Sequence, residues 1–267
     1  MEVEMSLRVT SRLLLAGLLC LLFISPSLAQ AAKATTDPTP QQAWEMLKAG
    51  NERFVAGKPL RGHQDAARVK QADASNQADH AFATLLSCSD SRVPVEIIFD
   101  TGIMDLFVVR VAGNVVKTDE AGSIEYGLAH VHTPILVVLG HTKCGAVSAV
   151  SSQAQGNNLV LERNIPPLLA PIFPAVRTAM HEHPEAKGAA LLPFAIEQNV
   201  WQSVSDLFMM SPVTRELAAG NKVLVKAAMY DLATGKVNWL PQDKVTALLQ
   251  AAEKDPKRVV KAMAPLK

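Results

Sequence analysis

The sequence predicts an α/β fold: a central, mostly parallel β-sheet of about four strands with an antiparallel edge strand, flanked by helices. Three observations predict it. Short apolar runs recur at residues 81–87, 106–111 and 135–139, the second rich in β-branched residues. Segments of helical period separate them, as at 121–131, and strands alternating with helices build parallel sheets. The run from Ile135 to Leu139 is apolar without interruption, as a parallel strand covered on both faces requires.

The elements follow in order. Arg8 and Arg12 precede an apolar run, Leu13 to Ile24, that is too short for a comfortable membrane span. Pro26, then the small residues of Ser27-Leu28-Ala29 and Ala29-Gln30-Ala31, complete the pattern of a secretory signal peptide over 1–29, with cleavage at Ala29 or Ala31. Residues 30–40 are rich in Ala, Thr and Pro and read as a linker. The rest, 41–267, reads as one domain. Thr39 and Pro40 are a cap and first-turn pair for a helix from Gln41 to about Val55, with Trp44, Leu47 and Phe54 on its apolar face. Arg61 to His80 is polar, a loop or a short helix. After the three strands, helices are expected from Lys143 to Ser151, Ile165 to His181 and Lys187 to Met210. Val223–Tyr230 and Val237–Leu240 read as strands joined by the turn Ala233-Thr-Gly235. Lys244 to Met263 reads as a final helix.

Charge is nearly balanced, 26 basic against 25 acidic side chains, which leaves no basic footprint for nucleic acid. Of three cysteines, Cys20 falls in the signal segment, so the mature chain keeps Cys88 and Cys144. For an exported, periplasmic or secreted chain, two cysteines raise the alternative of a structural disulfide or a redox sensor.

Two segments carry the chemistry. Cys88-Ser-Asp90-Ser-Arg92 follows the first strand, and His141-Thr-Lys-Cys144-Gly145 follows the third. Both fall at carboxyl ends of parallel strands, where open α/β sheets bind ligands. Two thiolates and an imidazole are a ligand set for catalytic zinc that leaves a fourth position for water. By spacing alone, this site and a Cys88–Cys144 disulfide stand level. Asp90, two residues from a ligand, reaches a metal or its water, and Arg92 can hold that carboxylate in a bidentate pair.

These motifs resemble the β-class carbonic anhydrases. The resemblance extends, in family order, to Gly50-Asn-Glu-Arg-Phe54, Phe107 to Asn114, Gly122-Ser-Ile-Glu-Tyr126 and Tyr230 to Val237. It implies one Zn2+ per subunit on Cys88, His141 and Cys144, and reversible hydration of CO2 to bicarbonate by zinc-activated water. Asp90 and Arg92 would be the catalytic dyad, with Asp90 also a conditional fourth metal ligand in a closed state at low pH. Phe107, Tyr126 and Gly145 would line the substrate pocket. The resemblance further implies a homodimer or homotetramer with the site at the dimer interface, where Phe107 and Tyr126 would come from the partner subunit. Hydrolysis of a CO2 analogue, COS or CS2, on the same fold is the close alternative. Two positions depart from family patterns. Leu85 stands where one subgroup has the Trp of a regulatory bicarbonate site, and Asp79, with Gln77 nearby, stands where another has a substrate-orienting Gln.

Overall fold

A computed structural model describes residues 38–265. The chain divides into Met1–Ala34 and Thr35–Lys267, and the described residues belong to the second unit. The signal-peptide reading and Cys20 lie outside the described residues.

Five strands form one sheet in the order β2-β1-β3-β4-β5: β1 (Ala83–Ser87), β2 (Leu106–Arg110), β3 (Ile135–His141), β4 (Leu224–Tyr230) and β5 (Val237–Trp239). The first four are parallel and β5 is antiparallel, as the sequence predicts. The helices are α1 (Pro40–Val55), α2 (Ala66–Ala74), α3 (Val95–Ile98), α4 (Thr118–Ala129), α5 (Gly145–Ala154), α6 (Ile165–Leu169), α7 (Phe173–Glu182), α8 (Leu192–Met210), α9 (Pro212–Ala219) and α10 (Gln242–Lys254).

Side chains alternate between the sheet faces. Ile135, Val137 and Leu139 pack with Leu85, Ile98 and Leu47 under α1 and α3. Leu136 and Val138 pack with Ile124, Val204 and Val245 under α4, α8 and α10. Thus β1 is followed by a helix on one face and β2 by a helix on the other. The chain leaves β1 toward β2 and leaves β3 toward β4, so the strand order reverses between β1 and β3. Such a reversal opens a crevice at the carboxyl ends of the two strands. A third apolar cluster, including Val115, Val147, Ile172 and Ile196, surrounds that crevice.

Several helices differ from the sequence reading. The expected 165–181 helix is two pieces, α6 and α7, joined by a single 3-10 turn, because Pro171 and Pro174 cannot donate to a continuous ladder. The last helix stops at Lys254, next to Asp255-Pro256, rather than reaching Met263. α8 begins at Leu192 with Pro193 in its first turn. The N-terminal cap is as expected: Thr39 and Gln42 form a capping box, with Pro40 first in the helix.

Two charged side chains lie in unexpected places. Arg68 of α2 is buried, with its guanidinium on Asp105 (Nη2 to Oδ1 2.9 Å) and on the Ile103 carbonyl (2.8 Å). Lys226, in the middle of β4, is buried with its Nζ 3.6 Å from the centre of the Trp44 ring. Burial, then repulsion from Lys48, lowers its pKa, while the ring face offers the cation a partner.

Candidate metal centre

The crevice between β1 and β3 holds the sequence-predicted ligands. Cys88 directly follows β1, His141 is the last residue of β3, and Cys144 caps α5. All three are buried, and one donor atom from each lies within 4.8 Å of the others. Neither cysteine is in a disulfide. His141 Nδ1 lies 3.0 Å from the Thr142 carbonyl oxygen. With that nitrogen protonated and donating, Nε2 carries the lone pair. Nε2 is buried and has no hydrogen-bond partner. An orphaned buried imidazole nitrogen facing two thiols fits a zinc site with an open fourth position.

The loop that supplies these groups is strained and pinned. Lys143, between two ligands, has φ +56°, a left-handed conformation that costs a non-glycine residue about 1–2 kcal/mol. Arg92 Nη2 donates to its carbonyl at 3.2 Å. On the other side, the Gly113 N–H donates to Cys88 Sγ at 3.3 Å. Gly113 has φ +76°, and a Cβ there would lie 2.8 Å from Ile172, so only glycine fits. Asn199 Nδ2 holds the Gly113 carbonyl at 2.7 Å. From sequence, Gly113-Asn114 reads only as a turn near the site. The signal for its role as a donor to Cys88 was its place just after β2, the neighbour of β1.

The two sulfurs do not titrate alike. The Cys144 thiol donates to Cys88, and this bond, opposed by burial and aided by the Gly113 N–H, holds the Cys88 thiol well below the ordinary range. The same bond, with burial, pushes Cys144 up. The sequence suggests that the α5 N-terminus should favour the Cys144 thiolate. The amides of Val147 and Ala146 do pull its pKa down, but the proton shared with Cys88 outweighs them. Zinc would displace that proton.

Asp90 and Arg92 form the expected bidentate pair: Nε to Oδ1 at 2.9 Å and Nη2 to Oδ2 at 2.7 Å. Asp90 Oδ2 stands 4.0 Å from His141 Nε2. The Arg92 side chain, then its own backbone N–H, holds the Asp90 carboxyl well below the carboxylate range. Arg110 fixes the same loop, donating to the carbonyls of Cys88 (3.0 Å) and Asp90 (2.7 Å).

The residues matching 83–237 fit the carbonic anhydrase family model. A carbonic anhydrase of Mycolicibacterium smegmatis is 37% identical over 74% of this chain and 92% of its own length. Carbonic anhydrase 2 of Mycobacterium tuberculosis is 34% identical over 74% and 91%. The chain is a β-class carbonic anhydrase. The fold agrees: the crystal structure of an Aspergillus fumigatus β-carbonic anhydrase superposes with a TM-score of 0.59, at 24% identity over 79% of this chain and 99% of that one. A tetrameric β-carbonic anhydrase of Sordaria macrospora gives 0.55, at 21% identity over 74% and 96%.

The remaining expected residues of this carbonic anhydrase are dispersed. Gly145 opens α5 next to Cys144, with open space where a Cβ would be. Phe107 and Tyr126 stack on each other, centroids 6.0 Å apart, away from the crevice of their own chain. Phe107 pairs with Thr84, three residues before Ser87, which sets it about 10 Å back along the strand. Asp79 ends a short 3-10 turn ahead of β1, at the opposite end of the strands. Leu85 is fully buried core.

Proposed function

We propose that this carbonic anhydrase acts outside the cytoplasm as a homodimer or a dimer of dimers, with Asp90 and Arg92 as its catalytic dyad. The reaction is CO2 plus water giving bicarbonate and a proton, in either direction. Cys88, His141 and Cys144 would hold the zinc, whose Lewis acidity brings the pKa of water toward neutrality and so supplies the nucleophile.

The chain's own groups do the rest. Asp90 is kept ionised by Arg92, so it presents an acceptor 4.0 Å from the imidazole nitrogen that faces the two thiols. An acceptor there orients the attacking oxygen by taking its hydrogen and turning a lone pair toward the substrate carbon. The fork of Arg92 keeps Asp90 from rotating. CO2 is uncharged, and the apolar cluster of Val115, Val147 and Ile172 suits it. Asp90 would be released to close on the metal at low pH, when Arg92 is drawn away.

The dyad carries this reading, because an ion pair at that distance from the ligand nitrogen has no role in the core. Asp90→Asn, with zinc retained, should lose about 10²-fold in kcat by stopped-flow hydration. Full activity in that variant would reject the role. Assaying COS and CS2 beside CO2 tests the analogue reading.

Assembly is supported by Phe107 and Tyr126. β2 is the sheet edge, and Tyr126 is about half exposed (52%). A second copy could carry this pair to the crevice. Mixed dimers of inactive Tyr126→Ala and Cys144→Ser chains should then regain activity, and none returning would count against it. Export is supported by the Arg8, Arg12 and Leu13–Ile24 pattern. Among the described residues no helix is long and apolar enough to cross a membrane. Cell fractionation with N-terminal sequencing tests for cleavage at Ala29 or Ala31.

A further inference from the structure

The ligand histidine is held by a neighbour with unusually complete bonding. Thr142 uses every polar group it has. Its N–H donates to the Tyr230 carbonyl (2.9 Å), at the end of β4. Its carbonyl faces His141 Nδ1 (3.0 Å). Its Oγ1 accepts from the N–H of Leu232 (3.0 Å), the first residue after Asp231 in the β4–β5 turn.

Asp231 is in turn fixed within the β4–β5 turn. Its Oδ1 accepts from the Ala233 N–H (2.9 Å) and its Oδ2 from the Thr234 hydroxyl (2.9 Å). Its carbonyl accepts from the Gly235 N–H (2.8 Å), and its own N–H donates to Lys236 (2.9 Å). The turn is anchored to α1. Asn51, buried, donates to the Gly235 carbonyl (2.9 Å) and accepts from the Val237 N–H (2.8 Å).

We propose that Thr142 and Asp231 are positioning residues for the hydration reaction, a clamp in which the β4–β5 turn fixes the tautomer and aim of His141. The inference rests on the reading of Cys88, His141 and Cys144 as zinc ligands. Ligand histidines are oriented by whatever accepts from their second nitrogen. Here that acceptor is a backbone carbonyl, which can orient nothing unless its peptide is itself held. The left-handed Lys143 follows at once, so the peptide would otherwise be free to relax. The clamp grips one side of the ligand loop, and Arg92 on the Lys143 carbonyl grips the other.

The test compares Thr142→Val, Thr142→Ser and Asp231→Asn in the full-length, zinc-loaded enzyme. Three quantities are read: zinc release to a chromophoric chelator, kcat, and KM. Valine keeps the shape and the backbone carbonyl but loses the hydroxyl. It should release zinc about tenfold faster and lose about tenfold in kcat, with KM little changed. Serine should restore zinc retention. Asp231→Asn, which keeps an acceptor for the Ala233 N–H but loses the one for the Thr234 hydroxyl, should loosen the turn that presents Leu232 and so move the same way as Thr142→Val, and the double variant should release zinc no faster than Thr142→Val alone. Folded Thr142→Val that releases zinc at the wild-type rate overturns the clamp. So does Thr142→Ser as damaging as valine, since the hydroxyl would then not be what matters. Wild-type enzyme that retains no zinc after dialysis overturns the ligand reading itself, which the variants do not address.

Discussion

Arg68→Ala should destabilise this protein well beyond what a surface-looking substitution would. The arginine sits in a polar stretch and would pass for a solvated residue, yet its side chain is 7% exposed and that of its partner Asp105 is 10% exposed. Removing it deletes the bond to Asp105 (2.9 Å), the bond to Ile103 (2.8 Å) and the bond to Gln71 (2.9 Å). Breaking a buried pair from one side costs about 3–5 kcal/mol, because the other charge stays buried. Asp105 keeps two partners, the Gly102 N–H at 2.8 Å and His63 Nδ1 at 2.7 Å, so the lower end, about 3 kcal/mol, applies. With a urea m-value of about 3 kcal/mol/M, the midpoint falls by about 1 M. The assay is equilibrium urea unfolding followed by tryptophan fluorescence. Arg68→Ala/Asp105→Ala should lose less than the sum of the two single variants. A midpoint shift below about 0.3 M at unchanged m would refute the reasoning. Zinc content of the folded variant should be normal, because this pair lies at the amino ends of the strands and the crevice at their carboxyl ends.

Further predictions concern the core, the metal and pH. Gly50→Ala gains about 1 kcal/mol of helix propensity, but its Cβ would lie 1.9 Å from the Phe99 carbonyl oxygen; thermal melts should show a net loss. Stripping zinc with a chelator should abolish hydration and lower the urea midpoint, since zinc at about 100 times its Kd adds about 2.7 kcal/mol; an unchanged midpoint would mean that the metal does not bind the folded state. Burial pushes the Asp206 carboxyl from 3.8 up to about 6, against a hydrogen bond from Gln202. The folded state therefore holds a proton that the unfolded chain has released, so this residue's contribution falls as pH rises through that window. Asp206→Asn should stabilise the protein at pH 7 by on the order of 2 kcal/mol, and urea melts should show the gain shrinking as pH is lowered toward 4.

Most of the sheet was legible because its strands are apolar on both faces. Ile135 to Leu139 announces a central strand whatever surrounds it. The ligands were legible because they end such strands. Less visible were features made by contacts distant in sequence. A lysine inside the β4 run argues locally against burial, and only Trp44, far ahead in the chain, makes Lys226 tolerable there. Arg68 hid in the same way, since nothing near it shows that Asp105 will be its partner. Phe107 and Tyr126 were picked out through the family resemblance alone. Their placement away from the crevice follows from strand register, which no local pattern displays. The breaks around Pro171 and Pro174 were readable, and helical period across the segment masked them.

The tie between Asn51 and the β4–β5 turn bears on when the metal centre matures. Asn51 and Gly235 are 184 positions apart, so the ligand loop is not braced until nearly the whole chain has been made. A closure of that span is slow compared with the local helices. The three ligands can gather earlier, but the histidine they include is held only after the final strand has docked. Under the proposed clamp, the bracing of the zinc site, rather than the gathering of its ligands, is the late event in the life of each chain, and a fragment ending before residue 231 should lose zinc to a chelator faster than the whole chain.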